Sequence, residues 1–87
     1  MPKFLLETQH TVTECAQTGD QFAANAKLLS NTYWGCGEGD HTSWSVAEAD
    51  NEQQARSQLP PTFRNRGKIR KVDVFTPEQM QEMHKAA

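Results

Sequence analysis

The sequence has no long apolar run, no large surplus of one charge and few cysteines, and each shortage excludes a class of protein. No apolar stretch is long enough to cross a membrane. The formal net charge of −2 argues against nonspecific binding to nucleic acid, which requires a strong positive surplus. The two cysteines, Cys15 and Cys36, are too few for a disulfide framework. We therefore expect reduced thiols, and neither a membrane nor a nucleic acid as a partner.

The chain is also short and polar for a globular protein. Its 87 residues leave room for one domain, which we predict to span residues 1–87. A domain of this size buries only about 60% of its surface. The mean hydropathy is −0.80, but the apolar residues are regularly spaced, which argues against disorder. Because no signal peptide precedes the first strand-like segment, we expect a cytoplasmic protein.

Residues 33–44 concentrate the scarce residue types. This segment contains both tryptophans, one of the two cysteines, one of the three histidines and three of the five glycines. The Gly-Glu-Gly-Asp sequence at 37–40 is typical of a tight turn. The segment therefore predicts two strands, at 32–36 and 42–49, that turn back on each other.

Two further strands are predicted by apolar alternation. Residues 3–10 alternate so that four side chains share one face of a strand: Phe4, Leu6, Thr8 and His10. Residues 68–75 give the last strand. The spacing thus predicts four strands in all.

Three helices are predicted from their capping residues. Thr11 and Glu14 form a capping box, although Gly19 and Asp20 leave open whether one helix or two follow. Asp50 precedes good helix formers at 51–59 and is predicted as an N-cap. Thr76 is predicted to cap a final helix.

The resulting order is β-α-β-β-α-β followed by a short helix. This order predicts an α+β, ferredoxin-like domain, with helices on one face of the sheet and the other face bare. A large exposed apolar face needs a cover, and isologous dimers are the commonest oligomers. We therefore expect a homodimer assembled through its sheet as an α/β barrel.

Short motifs along the chain carry a resemblance to a known family. Residues 1–4 (Met-Pro-Lys-Phe), 37–40 (Gly-Glu-Gly-Asp), 47–50 (Ala-Glu-Ala-Asp) and 72–79 (Val-Asp-Val-Phe-Thr-Pro-Glu-Gln) resemble the GYD-domain group of the dimeric α/β-barrel superfamily. The tyrosine that gives the group its name is replaced here by Gly39. The resemblance implies a fold rather than a reaction, because the GYD group has no settled biochemical role. The superfamily also includes cofactor-independent oxygenases and isomerases, whose catalytic motifs are not matched here, so that analogy is one of fold alone.

The first functional hypothesis is a small-molecule pocket, with an oxygenase- or isomerase-type reaction. Histidine titrates near neutral pH and can move a proton, so His10 and His41 are the candidate catalytic residues. No cofactor is required. The predicted pocket consists of aromatic side chains and polar neighbours from the strands and the turn: Trp34, Trp44, Phe4, Cys36 and Asp40.

Two alternatives remain open. Two imidazoles and a thiolate, from His10, Cys36 and His41, are ligands for a transition metal, but their spacing matches no established motif. Alternatively, the segment is structural and the protein is a non-catalytic binding or assembly module. In that case His41 bonds within the turn, Cys36 is a small core residue, and the aromatic residues form the dimer core.

Residues 63–71 contain five of the nine basic residues. This run could bind an anionic ligand. A solvated edge strand, whose positive charge discourages pairing with another sheet, explains it more simply.

Overall fold

The computed structural model of the protein describes residues 1–86, and Ala87, the last residue of the predicted domain, lies outside the described residues. Four antiparallel strands form one sheet in the order β2-β3-β1-β4. The strands are β1 (Lys3–Gln9), β2 (Thr32–Trp34), β3 (Thr42–Glu48) and β4 (Lys68–Val72). The helices are α1 (Cys15–Ala23), α2 (Ala26–Ser30), α3 (Glu52–Arg56) and α4 (Pro77–Ala86). The predicted α+β class is confirmed.

Strand β1 is central and orders the rest of the sheet. It pairs with β3 on one side and with β4 on the other. The predicted alternation is confirmed, because every second side chain from Phe4 to His10 is buried. We call the side of the sheet onto which these residues point the covered face, because the helices pack there; the opposite side is the open face.

The covered face holds the hydrophobic core. Phe22 from α1, Leu28 from α2 and Ala55 from α3 pack onto it, together with Leu59 and Phe63 from the segment before β4. Hydroxyl groups buried in the sheet are paired across strands, as between Thr8 Oγ1 and Ser43 Oγ at 2.6 Å. Such pairing removes the cost of burying a polar atom.

The capping predictions are partly right. Thr11 and Glu14 form the predicted capping box, which opens a 3₁₀ turn at Val12–Glu14 that leads into α1. The helical region does divide in two, but at Asn25, whose side-chain oxygen accepts a hydrogen bond from Leu28 N at 3.1 Å. Gly19 lies inside α1.

The predicted cap of the third helix is wrong by one residue. Asn51, rather than Asp50, accepts the hydrogen bond from Gln54 N, at 2.8 Å. The cap of α4 is confirmed, because Thr76 Oγ1 accepts a bond from Gln79 N at 3.2 Å. Capping depends on side-chain contacts within three residues, so these errors are small.

All four strands end earlier than predicted, β1 and β3 by one residue each, β2 by two and β4 by three. β2 stops at Trp34 because Gly35 starts the connection to β3. β4 stops at Val72, which pairs with Lys3, the first residue of β1. Beyond Val72 there is no facing strand to supply hydrogen-bond partners.

Candidate metal centre

His10 lies immediately after β1, at one end of the covered face. Its backbone N–H donates a hydrogen bond to the carbonyl of His41 at 3.0 Å, which ties the end of β1 to the start of β3. The side chain is 5% exposed. Strand alternation therefore buries this imidazole, and strand pairing brings His41 beside it.

Cys15 is the first residue of α1, and the capping box sets its position. Thr11 N donates to Glu14 Oε1 at 2.9 Å, and Glu14 N donates to Thr11 Oγ1 at 3.2 Å. Arg66 adds a two-pronged contact to the Glu14 carboxylate, 3.1 Å for each nitrogen–oxygen pair, and donates to the carbonyl of Gln9 at 3.0 Å. These bonds hold the start of α1 against the end of β1.

Cys36 and His41 belong to the connection between β2 and β3. Glu38 N and Asp40 N both donate to the carbonyl of Gly35, at 2.9 and 3.1 Å. Gly39 has a φ of 85°, a left-handed conformation in which glycine has no steric penalty. The predicted turn is thus confirmed, and it folds Cys36 and His41 toward the same side.

A methyl group at Gly35 would not fit. A Cβ built there would lie 2.6 Å from the carbonyl oxygen of Asp40 and 3.2 Å from Cζ3 of Trp44. The connection therefore closes tightly only because residue 35 has no side chain.

The structure brings four potential ligands together. One ligand atom from each of His10, Cys15, Cys36 and His41 lies within 4.8 Å of all the others. A tetrahedral zinc ion, with bonds of about 2.0 Å to nitrogen and about 2.3 Å to sulfur, separates its donor atoms by about 3.3–3.8 Å. Small side-chain rotations would bring the widest pair into that range.

The two imidazoles already have the spacing of neighbouring zinc ligands. Nδ1 of His41 lies 3.4 Å from Nε2 of His10, which is long for a hydrogen bond between nitrogens and close to the edge of a zinc tetrahedron. The ring planes are inclined at 77°. The two rings therefore meet edge to face, with centroids 5.2 Å apart.

The surroundings of the cluster favour the neutral forms of two of its groups, His10 and Cys15. Burial, with a further contribution from His41, lowers the pKa of His10. Burial and the neighbouring Cys36 thiol raise the pKa of Cys15. Both shifts favour neutral side chains. A divalent ion with two thiolates and two neutral imidazoles is also uncharged overall, so binding would add no net charge to the site.

His10 has a second unusual feature. Its other ring nitrogen, Nδ1, is buried and has no hydrogen-bond partner among the described residues. Buried polar atoms are nearly always paired, but an ion held by Nε2, the nitrogen that faces His41, would not pair with Nδ1. Cys15, Cys36 and His41 are only half-buried, which leaves the cluster accessible from solvent.

Of the residues predicted to line a pocket, Cys36 joins the two histidines in the cluster, but the others are not brought together around them. Trp34 lies on the covered face, with ring centroids 4.9 Å from Phe22 and 6.2 Å from His10. Trp44 lies on the open face, where its Nε1 donates to Glu7 Oε1 at 3.0 Å. The two indoles therefore do not form one wall.

The other two predicted pocket residues have structural roles. Phe4 belongs to the core. Asp40 is exposed and accepts a hydrogen bond from Thr42 Oγ1 at 2.6 Å, a contact that stabilises the turn. Neither side chain is among the four potential ligands.

The grooves of the described structure lie elsewhere. One, of about 280 Å³, is lined by residues of β1, α2 and β3 and by Gln58. Another, of about 480 Å³, lies between α1, α2 and residues 57–64. None of the residues predicted for the catalytic pocket lines either groove. Because His10 and His41 are in contact, there is no room between them for an organic substrate.

Cys15 is the potential ligand that sequence reasoning missed. It lies four positions beyond the capping threonine, Thr11, at the start of a helix whose preceding strand ends at Gln9, the residue before His10. That position was a usable signal, because the helix start must lie close to the end of the preceding strand. The metal-binding alternative predicted from the sequence named His10, Cys36 and His41. These three residues do lie together, and the alternative lacked only Cys15 of the four-residue cluster.

Comparisons with protein-family models, curated proteins and solved structures found no match to this chain. Among the described residues, no helix has both the length and the apolar character needed to cross a bilayer. The evidence for function is therefore the geometry of the cluster.

Proposed function

We propose that this protein binds one divalent transition metal ion through His10, Cys15, Cys36 and His41. The observation that supports the proposal is the convergence of four ligand atoms within 4.8 Å. These atoms come from three separate places in the chain: the end of β1, the start of α1 and the connection between β2 and β3.

Zinc is the ion that best suits these ligands. Two thiolates and two imidazoles in a tetrahedral arrangement are a common structural zinc set. Carboxylates and carbonyls, which magnesium and calcium prefer, are absent from the four. Copper and nickel can also use imidazole and thiolate ligands, so the metal analysis below includes them.

A closed site of this kind is structural rather than catalytic. Catalytic zinc sites keep one position open for water or substrate, whereas four protein ligands fill a tetrahedral shell. A bound ion would cross-link β1, α1 and the β2–β3 connection, and so stabilise one end of a small core. We do not retain His10 and His41 as catalytic bases, because the same nitrogens would be coordinated.

The ferredoxin-like fold and the relation to the GYD-domain group are also proposals. They are supported by the strand order β2-β3-β1-β4, in which the first strand lies between the third and the fourth, and by the short motifs of the sequence. A metal site at the end of the covered face is compatible with this arrangement.

The test is metal analysis of protein purified without an affinity tag. We expect about one equivalent of metal per chain. With free zinc at about 100 times its Kd, binding would stabilise the fold by about 2.7 kcal/mol, which is about 10–20 °C in Tm for a domain of this size.

Single variants locate the site. Cys15→Ser and Cys36→Ser should each weaken binding at least about 100-fold, which is the upper end of the cost of losing even an outer-shell partner. His84→Ala is the matched control, because His84 lies in α4, outside the cluster, and its loss should leave the affinity unchanged. The proposal is wrong if purified protein holds no stoichiometric metal and zinc, copper and nickel all leave Tm unchanged.

A further inference from the structure

The metal centre contains every cysteine of the chain. The sequence has two, Cys15 and Cys36, and both are free thiols. They belong to different elements, the start of α1 and the β2–β3 connection, yet their Sγ atoms lie within 4.8 Å of each other. A disulfide bond holds two sulfurs about 2.0 Å apart, so an approach of less than about 3 Å would allow one to form.

The thiols have more room to move than the imidazoles. His10 is 5% exposed, and its backbone N–H is bonded to the carbonyl of His41, so strand pairing holds both histidines in place. By contrast, a Cβ built at Gly37 or at Gly39 would meet nothing within 4 Å. The backbone that follows Cys36 therefore borders open space, which leaves room for its thiol to change position.

A reaction between the two thiols would not disturb the hydrophobic core. Neither cysteine belongs to the core, and both are half-buried, so a small oxidant in solvent reaches them. The start of α1 is held by side-chain bonds of Thr11, Glu14 and Arg66 rather than by the thiol of Cys15. The fold around the cluster therefore does not need the two thiols to stay reduced.

We propose that the metal centre is a reversible redox switch, in which a peroxide converts Cys15 and Cys36 to a disulfide and the ion is released. This inference rests on the proposed metal-binding function. The thiolate is the form of cysteine that binds metal ions, so oxidation removes two ligands at once. His10 and His41 then remain, and two imidazoles hold an ion far more weakly than a filled tetrahedral shell.

Each disulfide consumes one molecule of hydrogen peroxide. One thiolate attacks a peroxide oxygen, the O–O bond breaks and hydroxide leaves, which produces a sulfenic acid. The other thiolate attacks that sulfur, the S–S bond forms, the S–O bond breaks and a second hydroxide leaves. The two sulfurs lose two electrons and the peroxide gains them, while two protons from solvent convert the hydroxides to water. The metal leaves as the unchanged divalent ion.

The disulfide would replace the ion as a cross-link. It would join α1 to the β2–β3 connection, two of the three places that the ion joins. We therefore expect the oxidised, metal-free protein to stay folded, with a Tm about 10–20 °C above that of the reduced, metal-free protein. This Tm distinguishes release by the switch from release by unfolding.

The experiment treats metal-loaded wild-type protein with a small excess of hydrogen peroxide. Released metal is measured with a chromogenic chelator, free thiols by titration and mass under denaturing conditions. We expect about one ion to be released for each disulfide, with the loss of both free thiols and of about 2 Da per chain. Dithiothreitol should restore both thiols, and added zinc should then bind again.

The matched control is Cys36→His, which offers zinc four ligands, since histidine is also a zinc ligand, but leaves a single thiol. This variant should bind zinc and release it at least about 10-fold more slowly under the same peroxide, because no second thiolate in the chain attacks the sulfenic acid. Cys15→His makes the same test from α1 and serves if the first variant does not fold.

The possible failures are distinguishable. Untreated protein that holds no stoichiometric metal contradicts the proposed function and the switch together. Metal-loaded protein that forms the disulfide and keeps its ion contradicts the switch alone. So does release that accompanies only a mass gain of about 32 or 48 Da, which marks irreversible oxidation, or release that is as fast from the histidine variants as from wild type.

Discussion

The two faces of the sheet use the same residue type in opposite ways, as the two tryptophans show. Trp34, on the covered face, packs against Phe22 at a centroid distance of 4.9 Å and lies near the metal cluster. Trp44, across the same hairpin, lies on the open face and donates to Glu7. The covered face is packed by helices of its own chain, and the four-residue cluster lies at its end. The open face has no such packing, and its apolar side chains remain available to a second copy.

The largest contrast should appear when an apolar side chain is removed from each face. Phe22 is fully buried, so Phe22→Ala should reduce the free energy of unfolding by about 3–5 kcal/mol. Val46→Ala, on the open face, should cost less than about 1 kcal/mol in dilute protein. Urea unfolding at two protein concentrations checks both values.

The concentration dependence sharpens the comparison. If a second copy covers the open face, the loss in free energy of unfolding caused by Val46→Ala should increase with protein concentration. The loss caused by Phe22→Ala should change little. Equal costs for the two variants in dilute protein would contradict the distinction between the faces.

A smaller loss of stability is expected when Gly35, in the hairpin that carries both tryptophans, is substituted. Gly35→Ala should destabilise the fold by about 1–3 kcal/mol, as overpacking does, because its methyl group would collide with the Asp40 carbonyl. Distortion of the connection should also weaken metal binding through Cys36. Thermal unfolding and a metal titration measure the two effects.

The matched control is Gly37→Ala, two residues away. Nothing lies within 4 Å of a Cβ built at Gly37, so this variant should change stability and metal affinity little. If both variants lose similar amounts of stability and metal affinity, the close approach of the Asp40 carbonyl to Gly35 is not the cause of the losses.

The smallest expected change in stability concerns the ion pair between Glu14 and Arg66, which lies beside the cluster. Hydrogen bonds from Arg66 and from Thr11 lower the pKa of Glu14 from 4.5 to about 2. A lowered folded-state pKa stabilises the fold above the unfolded value, and this contribution disappears as the pH falls through the folded value. The difference in stability between wild type and Glu14→Gln should therefore shrink between about pH 5 and pH 2.

Unfolding of metal-free protein in the presence of chelator measures this difference. Glutamine keeps the capping geometry and removes only the charge. Glu38→Gln, which alters an exposed glutamate of the β2–β3 connection, is the control and should show no comparable trend. A pH-independent difference for Glu14→Gln would mean that the ion pair with Arg66 contributes nothing, as is common at exposed sites.

Much of the local structure was predictable because its causes are local. The alternation from Phe4 to His10 set the buried face of β1, and the capping box of Thr11 and Glu14 set the start of the first helical turn. Errors in the helix boundaries arose where more than one polar residue could have ended or capped a helix. The first helical region divides at Asn25 rather than at Gly19–Asp20, and Asn51 rather than the adjacent Asp50 caps the third helix.

The candidate site was predictable only in part. The sequence singled out His10, Cys36 and His41, but its leading hypothesis joined the two histidines to both tryptophans in one pocket. Strand alternation on β2 and β3 separates Trp34 from Trp44, and the register that decides this is a property of strand pairing. Cys15 was missed because its nearness to the others depends on the packing of α1.

The sequence by itself determined which side of β1 faces the core, where the first helical turn and the last helix begin and where the chain turns at residues 37–40, because these depend on side-chain period and on hydrogen bonds spanning three or four residues. Only the tertiary structure decided that four potential ligands converge and that, among the described residues, Tyr33 and Val46 of the open face stay exposed. His10 and His41 are 31 residues apart and meet only because β1 pairs with β3. No local pattern encodes that contact, since it arises when the burial of the whole covered face selects one register.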